Sequence, residues 1–545
     1  MAIRPIEYQT SLPQEILIKK ESPGAEAVPL DVLIVGGGPS GLATAIELAK
    51  LAKKNQDKSG NIEIGVLEKA RGLGEHTLSG AVINPKTLFE LFPDKKPEDF
   101  PFRGQVKRED VYLMTAGSYW KLPTPPTMHN KGFYIASLSE LVRWLGTEAE
   151  KLGINILTGF PAESLLTDGT KVLGVRTTAG GLNRQGEKSD RFVAPTDLSA
   201  KVTVLAEGTR GPLAQSFYKW KNIKSESPQI FALGVKEIWK VKNPPVGIVH
   251  TMGWPLPTDA FGGSFMYPLG ENLVALGLVV GLDYKDANLD VHQLLQKLKT
   301  HKLFNKYLDG GEIVEWGAKT IPEGGFYAIP DNLTGDGLVV VGDSAGLVNV
   351  PALKGIHYSI GSGILAAQTI YEALVKGDVS ASGLNSYNQK IRESFICKDL
   401  YRVRNMRNAF KSGFWWGAIK AALITLIPSL FPGRSARQHE DAQENKINKG
   451  GPAQIVSPSI SKVDGVFRSG NVTRDDIPRH LVIGKDVSTE VANFYSHLCP
   501  AGVYEQKEGK LVVNAPNCVD CKATDVLGPR WTPREGGSGP RYQKM

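Results

Sequence analysis

The stretch Asp31–Ala52, "DVLIVGGGPSGLATAIELAKLA", sets a short β-branched strand before a glycine turn and an amphipathic helix. Gly36, Gly38 and Gly41 fit G-x-G-x-x-G in the strand-to-helix context that the motif requires. The first glycine permits a tight turn, the second lets backbone approach a pyrophosphate, and the third allows close helix packing. The amides at the helix start favour the anion. A second strand, "IEIGVLEKA", carries Glu68, which can accept a hydrogen bond from a ribose hydroxyl. Glu68 comes 27 residues after Gly41 (68 minus 41) because "LAKKNQDKSGN" lengthens the loop. Strand, glycines, helix, strand and acid together predict a dinucleotide-binding α/β domain.

A later stretch, "GLVVVGDSAGLVNVPALKGIHYSIGSGILAAQTIYEAL" (Gly337–Leu374), runs from a buried strand through Gly342-Asp343 into a helix of small residues. It resembles the second FAD motif of flavoproteins of the glutathione-reductase and hydroxylase type. In those proteins an aspartate meets the ribityl–phosphate part of the cofactor, a role that would fall to Asp343. Between the two motifs, "AKVTVLAEGTRGPLA" is another strand, ending at Glu207-Gly208, so the FAD domain is expected to be discontinuous in sequence. "GSGILA" (Gly361–Ala366) also matches a glycine fingerprint, but it lies inside a helical run and follows no strand. Close helix packing is the expected reason, and no second nucleotide fold remains for NAD(P)H.

The 545 residues suffice for two or three domains, and 41% hydrophobic content supplies ordinary cores rather than a disordered chain. Lys and Arg exceed Asp and Glu by 64 to 56, a mild excess that suits an anionic lipid or an acidic protein. Aromatic and basic residues do not interleave, so no nucleic-acid partner is expected. Four cysteines argue against a disulfide-built secreted fold, and three of them crowd the last tenth of the chain. "MAIRPIEYQTSLPQEILIKK" lacks both the apolar core of a secretory signal and the arginine-rich, acid-poor character of a transit peptide. A bacterial, cytoplasmic-side location is therefore expected.

In the middle, "HTMGWPLPTDAFGGSFMYPLGENLVALGLVVGLDY" (His250–Tyr284) alternates apolar and small residues, as strands covering a flavin would. Taken with "GVKEIW", "IPEGG", "GEHTLSGAVINP", "CPAGVYE", "NCVDCK" and "GGSGPRYQKM", it closely resembles the electron transfer flavoprotein–ubiquinone oxidoreductase family, from about Asp31 to Met545. The resemblance implies an electron-transferring-flavoprotein dehydrogenase with FAD, a [4Fe–4S] cluster and a quinone pocket. Its partners would be electron transfer flavoprotein, a membrane quinone and a lipid surface. It also implies that Gly262 and Gly263 hold the quinone through main-chain groups, which a planar head group can approach only where no Cβ intrudes.

"CKDLYRVRNMRNAFKSGFWWGAIKAALITLIPSLFPGR" (Cys397–Arg434) joins a basic run, Lys398, Arg402, Arg404, Arg407 and Lys411, to Trp415, Trp416 and an Ile/Leu stretch reaching Phe431. Lys420 and Pro428 interrupt it, so the ~20 apolar residues of a membrane span are missing. A helix lying in the interface is expected, tryptophans at headgroup depth and the lysine snorkelling. This makes the protein peripheral on the cytoplasmic face of a bacterial inner membrane. The resemblance adds a second lipid contact near "VINPKTLFELFP" (82–93).

In the tail, Cys499-Pro500, Cys518 and Cys521 match three of the four cluster ligands of the family. The fourth position is Thr524, and Asp520 stands where the family carries histidine. Soft thiolates neutralise and hold the iron core, and a neutral hydroxyl is a poor replacement. Oxygen from Asp520 or Asp525 is one way to complete the shell. Two states stay open: a cluster on three cysteines, incomplete or labile, and a fold kept without metal. Cys397, in the basic run, is read as a core thiol.

The expected architecture is α/β plus α+β: a Rossmann-like FAD domain, an interwoven β-rich quinone-binding domain and a C-terminal ferredoxin-like domain. FAD-domain segments are expected at 29–110, 151–220 and 326–395, after an extension over 1–28. Quinone-domain segments are expected at 111–150 and 221–325. A membrane-surface segment (396–434), a linker or wrapped loop (435–485) and the iron–sulfur domain (486–545) complete the chain. Three other functions fit the same frame: a prenyl-chain reductase, an NAD(P)H-dependent aromatic hydroxylase, and a catalytically silent membrane-bound flavoprotein. The cysteine tail disfavours the first two.

Overall fold

The computed structural model describes residues 2–80, 82–410, 413–426, 433, 438–449, 459–485 and 487–545. Lys411, Pro428 and Phe431 lie outside them.

The glycine-bearing stretch builds the centre of a nine-stranded sheet. Strands Asn155–Thr158, Ile64–Glu68, Val28–Val35 and Asp197–Leu205 run parallel, with Val35 beside Leu67 and Leu205. Val32, Leu33 and Ile34 are fully buried, as a strand covered on both faces demands. The strand Asp197–Leu205 has two partners along one edge. Its first half pairs antiparallel with Val172–Thr177 and its second half parallel with Leu338–Val340. The late motif thereby returns to the first one, which gives the FAD-type domain its broken course through the sequence.

Helix Pro39–Lys54 starts on Gly38 with Pro39 at its first position, where proline's missing N–H costs nothing. It packs along helix Ile356–Lys376, which holds the second glycine fingerprint. A Cβ on Gly363 would lie 2.5 Å from the Ser40 carbonyl oxygen, so that glycine serves helix contact.

A second sheet of seven strands follows the order Glu312–Pro322, Phe231–Lys240, Leu273–Gly281, Gly262–Gly270, Ile248–Gly253, Glu109–Met114, Tyr119–Leu122. All neighbours are antiparallel except Ile248–Gly253 with Glu109–Met114. Leu276, Leu278, Val280 and Trp316 of this sheet share a core with helix Val291–Lys299 and with Cys499 and Cys521 of the tail.

The ferredoxin-like end comprises helix Thr489–Leu498, hairpin Tyr504–Lys507/Lys510–Val513 and the short helix Ala523–Leu527. It docks on the second sheet, the Thr320 amide donating to the Cys521 carbonyl at 2.9 Å. The described parts of 435–485 are tied down as well. Asp441 accepts from the Phe231 amide at 2.7 Å, and Gly465 of the Ser461-capped helix Lys462–Arg468 lies against the Trp316 indole.

Candidate functional site

A cavity of about 350 Å³ opens between the two sheets, and Gly36, Gly38, Glu68 and Asp343 all line it. Gly36 needs its glycine twice over: its φ is +117°, and a Cβ would meet the Ala206 carbonyl oxygen at 2.3 Å. Gly41 lies behind the turn, its missing Cβ leaving room for the Gly36 carbonyl oxygen. Gly342, at φ +64°, brings backbone against Ser40 and receives no side chain of its own. Glu68 accepts from the amides of Gly37 (3.0 Å) and Ala70 (2.8 Å), so the turn and the acid are braced together. Asp343 accepts from the Ser359 hydroxyl at 3.2 Å, and burial raises its pKa above the ordinary carboxylate value. A dinucleotide fits this donor set: a glycine turn open to a pyrophosphate, a helix N-terminus behind it and an acid at the ribose position.

Other groups on the same wall escaped the sequence reading. Glu207 accepts from the Ala214 and Leu213 amides at 2.8 and 3.3 Å, capping helix Pro212–Trp220 while facing the cavity. Lys69, Lys319 and Lys522 converge there from three distant segments and give the cavity a cationic side suited to an anionic cofactor. Burial, with Lys69 nearby, pushes Lys319 down to about 8. Phe265 and Tyr267, stacked at 4.8 Å, also line the cavity, as do Val348 and Leu353. The only hint in the sequence was Lys319 amid apolar residues in "GAKTIPE". Spacing could not show that they meet.

Gly262 and Gly263 do not line the cavity. They begin the strand that carries Phe265 and Tyr267, and a Cβ on them would meet the carbonyl oxygens of Val279 (2.1 Å) and Thr251 (2.6 Å). Close strand packing accounts for both.

A second, small cavity is enclosed by Cys499, Cys518, Cys521 and Thr524 together with Tyr504 and Trp531. The four positions singled out in the sequence thus lie around one void. The Tyr504 hydroxyl lies against Thr524 without a partner in full hydrogen-bonding geometry. Burial pushes the Cys518 thiol up to about 12 and raises Cys499 and Cys521 as well. Three thiols around one void fit an iron–sulfur core and leave one corner to Thr524.

The two acids considered for that corner are both paired with cations, and Asp520 also accepts from the Cys518 thiol at 3.7 Å, with His480 close by. Asp520 lies 2.5 Å from Lys69 and 2.9 Å from Arg534, and it accepts from the Trp531 indole at 2.9 Å. Burial would raise its carboxyl, but Arg534 and Lys69 overcome this and hold it well below the usual range. Asp525 pairs with Arg210 at 2.7 Å and accepts from the Trp531 amide. Neither lines the small cavity. Cys397 is buried in the first core, away from the other thiols, with its pKa pushed up to about 11 by burial.

A family model described as "ETF-QO, ubiquinone-binding" matches residues 231–321, and one described as "Electron transfer flavoprotein-ubiquinone oxidoreductase, 4Fe-4S" matches 458–543. The mitochondrial electron transfer flavoprotein-ubiquinone oxidoreductase of Oryza sativa subsp. japonica is 37% identical over 557 residues, covering 96% of this chain and 94% of its own. The Homo sapiens protein of the same name is 36% identical over 554 residues, covering 94% and 89%. The chain belongs to the electron transfer flavoprotein–ubiquinone oxidoreductase family. Among solved structures, a geranylgeranyl bacteriochlorophyll reductase-like protein from Thermoplasma acidophilum aligns with a TM-score of 0.54 at 20% identity, over 74% of this chain and all of its own. The flavin-dependent brominase Bmp2 aligns at 0.51 and 15%, over 74% and 92%. These two share the flavoenzyme fold only.

In this member of the oxidoreductase family, helix Phe414–Leu426 presents Trp416, Ile419 and Leu423 on one exposed face, at 66, 54 and 46% exposure. Its other face, Ala421 and Ile424, packs on Ala409. Among the described residues no helix is long and apolar enough to cross a membrane. Arg407 leaves the expected lipid-facing basic run: it is buried between Asp283 (2.9 Å) and Glu323 (3.0 Å). The stretch 82–93 also departs from expectation, because Val82, Ile83, Leu88, Leu91 and Phe92 are spent on the protein core.

Proposed function

We propose that the protein takes electrons from reduced electron transfer flavoprotein and delivers them to a membrane quinone, with FAD in the large cavity and an iron–sulfur core in the small one. The observation that carries this reading is the shared wall of the two cavities: Trp531 and Lys522 line both. The flavin would supply exchange of one or two electrons, which joins a one-electron donor to a two-electron acceptor. Gly36, Gly38, Glu68 and Asp343 would hold the cofactor, Gly41 and Gly342 would shape its seat, and Cys499, Cys518 and Cys521 would hold the iron.

The quinone would enter past Phe265 and Tyr267, on the strand that Gly262 and Gly263 begin, with Val348 and Leu353 also on the cavity wall. Leu353 supports this, since it lines the cavity while half-exposed at its rim. Trp416, Ile419 and Leu423 would hold the molecule on lipid, and exposed Lys398 and Arg402 of the preceding helix Phe395–Arg402 would favour an anionic surface. Placement on the cytoplasmic face of a bacterial inner membrane belongs to the same reading.

The test is anaerobic. Protein reduced by reduced electron transfer flavoprotein, or by dithionite, should recover its flavin colour when a short-tailed quinone is added. A bleached protein that stays bleached would sink the proposal, and bleaching by NADPH alone would favour a reductase or hydroxylase.

A further inference from the structure

Beside the cavity the second sheet carries a row of polar groups that cofactor binding does not use. Glu109, His250 and Tyr267 sit on three adjacent strands, Glu109–Met114, Ile248–Gly253 and Gly262–Gly270. His250 pairs with Val111 on one side and Phe265 on the other. Glu109 and Tyr267 are each two residues from those partners, so all three side chains stand on one face as diagonal neighbours.

The Tyr267 hydroxyl lies 2.5 Å from His250 Nε2, and His250 Nδ1 lies 3.6 Å from Glu109 Oε1 with no other partner. Tyr267 faces the cavity, His250 is buried, and the Glu109 side chain keeps a tenth of its surface in solvent. Asn130 holds Glu109 through its backbone and side-chain N–H groups.

We propose that Glu109, His250 and Tyr267 form a proton wire from solvent to a quinone oxygen bound against Tyr267. The proposal rests on the quinone-reductase reading above.

Turning a quinone into a quinol takes two electrons and two protons. The electrons are those of the enzyme's own activity. Tyr267 gives its hydroxyl proton to the quinone oxygen, forming a new O–H. His250 refills Tyr267 from Nε2 and takes a proton at Nδ1 from the Glu109 carboxyl, which recovers one from water. Two such passages supply both protons, a turn of the imidazole between them restoring its tautomer.

Burial raises the Tyr267 hydroxyl above its ordinary pKa, so no free tyrosinate accumulates and the hops are concerted. Burial, and then Lys354, push His250 down to about 3, which keeps it the neutral ring that can accept at one nitrogen while donating at the other. The other titratable groups facing this end are Lys354 and His357, both on the cavity wall. Burial lowers Lys354 to about 8 against the pull of Glu109, and burial with Lys354 lowers His357 to about 3.

The experiment is single-turnover reoxidation of the dithionite-reduced holoenzyme, followed by flavin absorbance. One arm uses a short-tailed quinone and the other ferricyanide, which takes electrons without protons. Tyr267→Phe and His250→Gln should slow the quinone arm by about 100-fold and leave the ferricyanide arm within about twofold. Glu109→Gln should slow it less, and Glu109→Asp should restore it. The wild-type quinone arm, and not its ferricyanide arm, should slow in D₂O.

Equal losses in both arms would make these residues structural and overturn the wire. So would variants with full quinone rates beside an active wild type. A wild type that reduces no quinone fails at the earlier step and takes the parent reading with it.

Discussion

Lys522 Nζ lies 3.0 Å from the centre of the Trp531 ring, and this pair forms the partition between the two cavities. Burial, with Lys69 alongside, holds Lys522 below the usual lysine range. Trp531 is 5% exposed and fixed at both ends, its indole donating to Asp520 and its amide to Asp525.

Trp531→Ala should therefore act on both sites at once. It removes a packed ring, at a cost of about 3–5 kcal/mol, and lets water reach the thiols. Iron should be lost to a chelator faster than from wild type, measured by metal analysis over time. Unchanged iron retention in a folded variant would contradict the partition.

Thr524→Cys should complete the ligand set, since residue 524 already faces the same void as the three cysteines. The gain expected is about one iron per chain, as a fourth thiolate closes the cubane. Iron and sulfide analysis with low-temperature paramagnetic resonance checks it. A wild type that already shows a full, ordinary [4Fe–4S] signal would refute the open corner.

Replacing Trp416, Ile419 and Leu423 together by Ser should weaken vesicle binding without unfolding the chain, because these side chains are exposed. At about 1 kcal/mol each, their loss lowers partitioning by about 100-fold. Co-sedimentation with anionic vesicles measures this, and added salt should weaken wild-type binding further. Equal sedimentation of the triple variant and wild type would rule out this face as the lipid contact.

Asp525→Asn should destabilise the tail by about 3 kcal/mol, since it leaves the mostly buried Arg210 without its charge partner. The pH dependence follows from the direction of the shift. Burial acts to raise the Asp525 carboxyl, but Arg210 and Lys522 outweigh it and its folded pKa lies below the ordinary value. Such a group binds fewer protons folded than unfolded. Its stabilisation is complete above the unfolded pKa of about 3.9 and fades as pH falls through the folded value. Urea midpoints at pH 7 and at pH 3 should show a wild-type loss on acidification that is smaller in Asp525→Asn.

Local pattern carried much of this molecule. The spacing of Gly36, Gly38 and Gly41 after a β-branched run required a tight turn into a helix, and that geometry is set within about ten residues. The cysteines were equally legible, because three of the four stood in the last tenth of the chain. Composition misled where a charge had a hidden partner. Arg407 looked like a surface cation until Asp283 and Glu323, more than eighty residues away, closed around it. In 82–93 the apolar residues matched a lipid contact as well as a core, and only packing could separate the two.

The sequence alone determined the nucleotide turn, the family of the chain and the absence of a cysteine at position 524, all of which depend on neighbours along the chain or on residue identity. Tertiary structure alone decided that Asp520 pairs with Lys69 and Arg534 and Asp525 with Arg210, that Trp531 stands between two cavities, and that Glu109, His250 and Tyr267 form one row. Each of these rests on side chains joined by sheet register and long-range docking. Hydrogen bonds and ion pairs act over a few ångströms of space, whatever the separation in sequence.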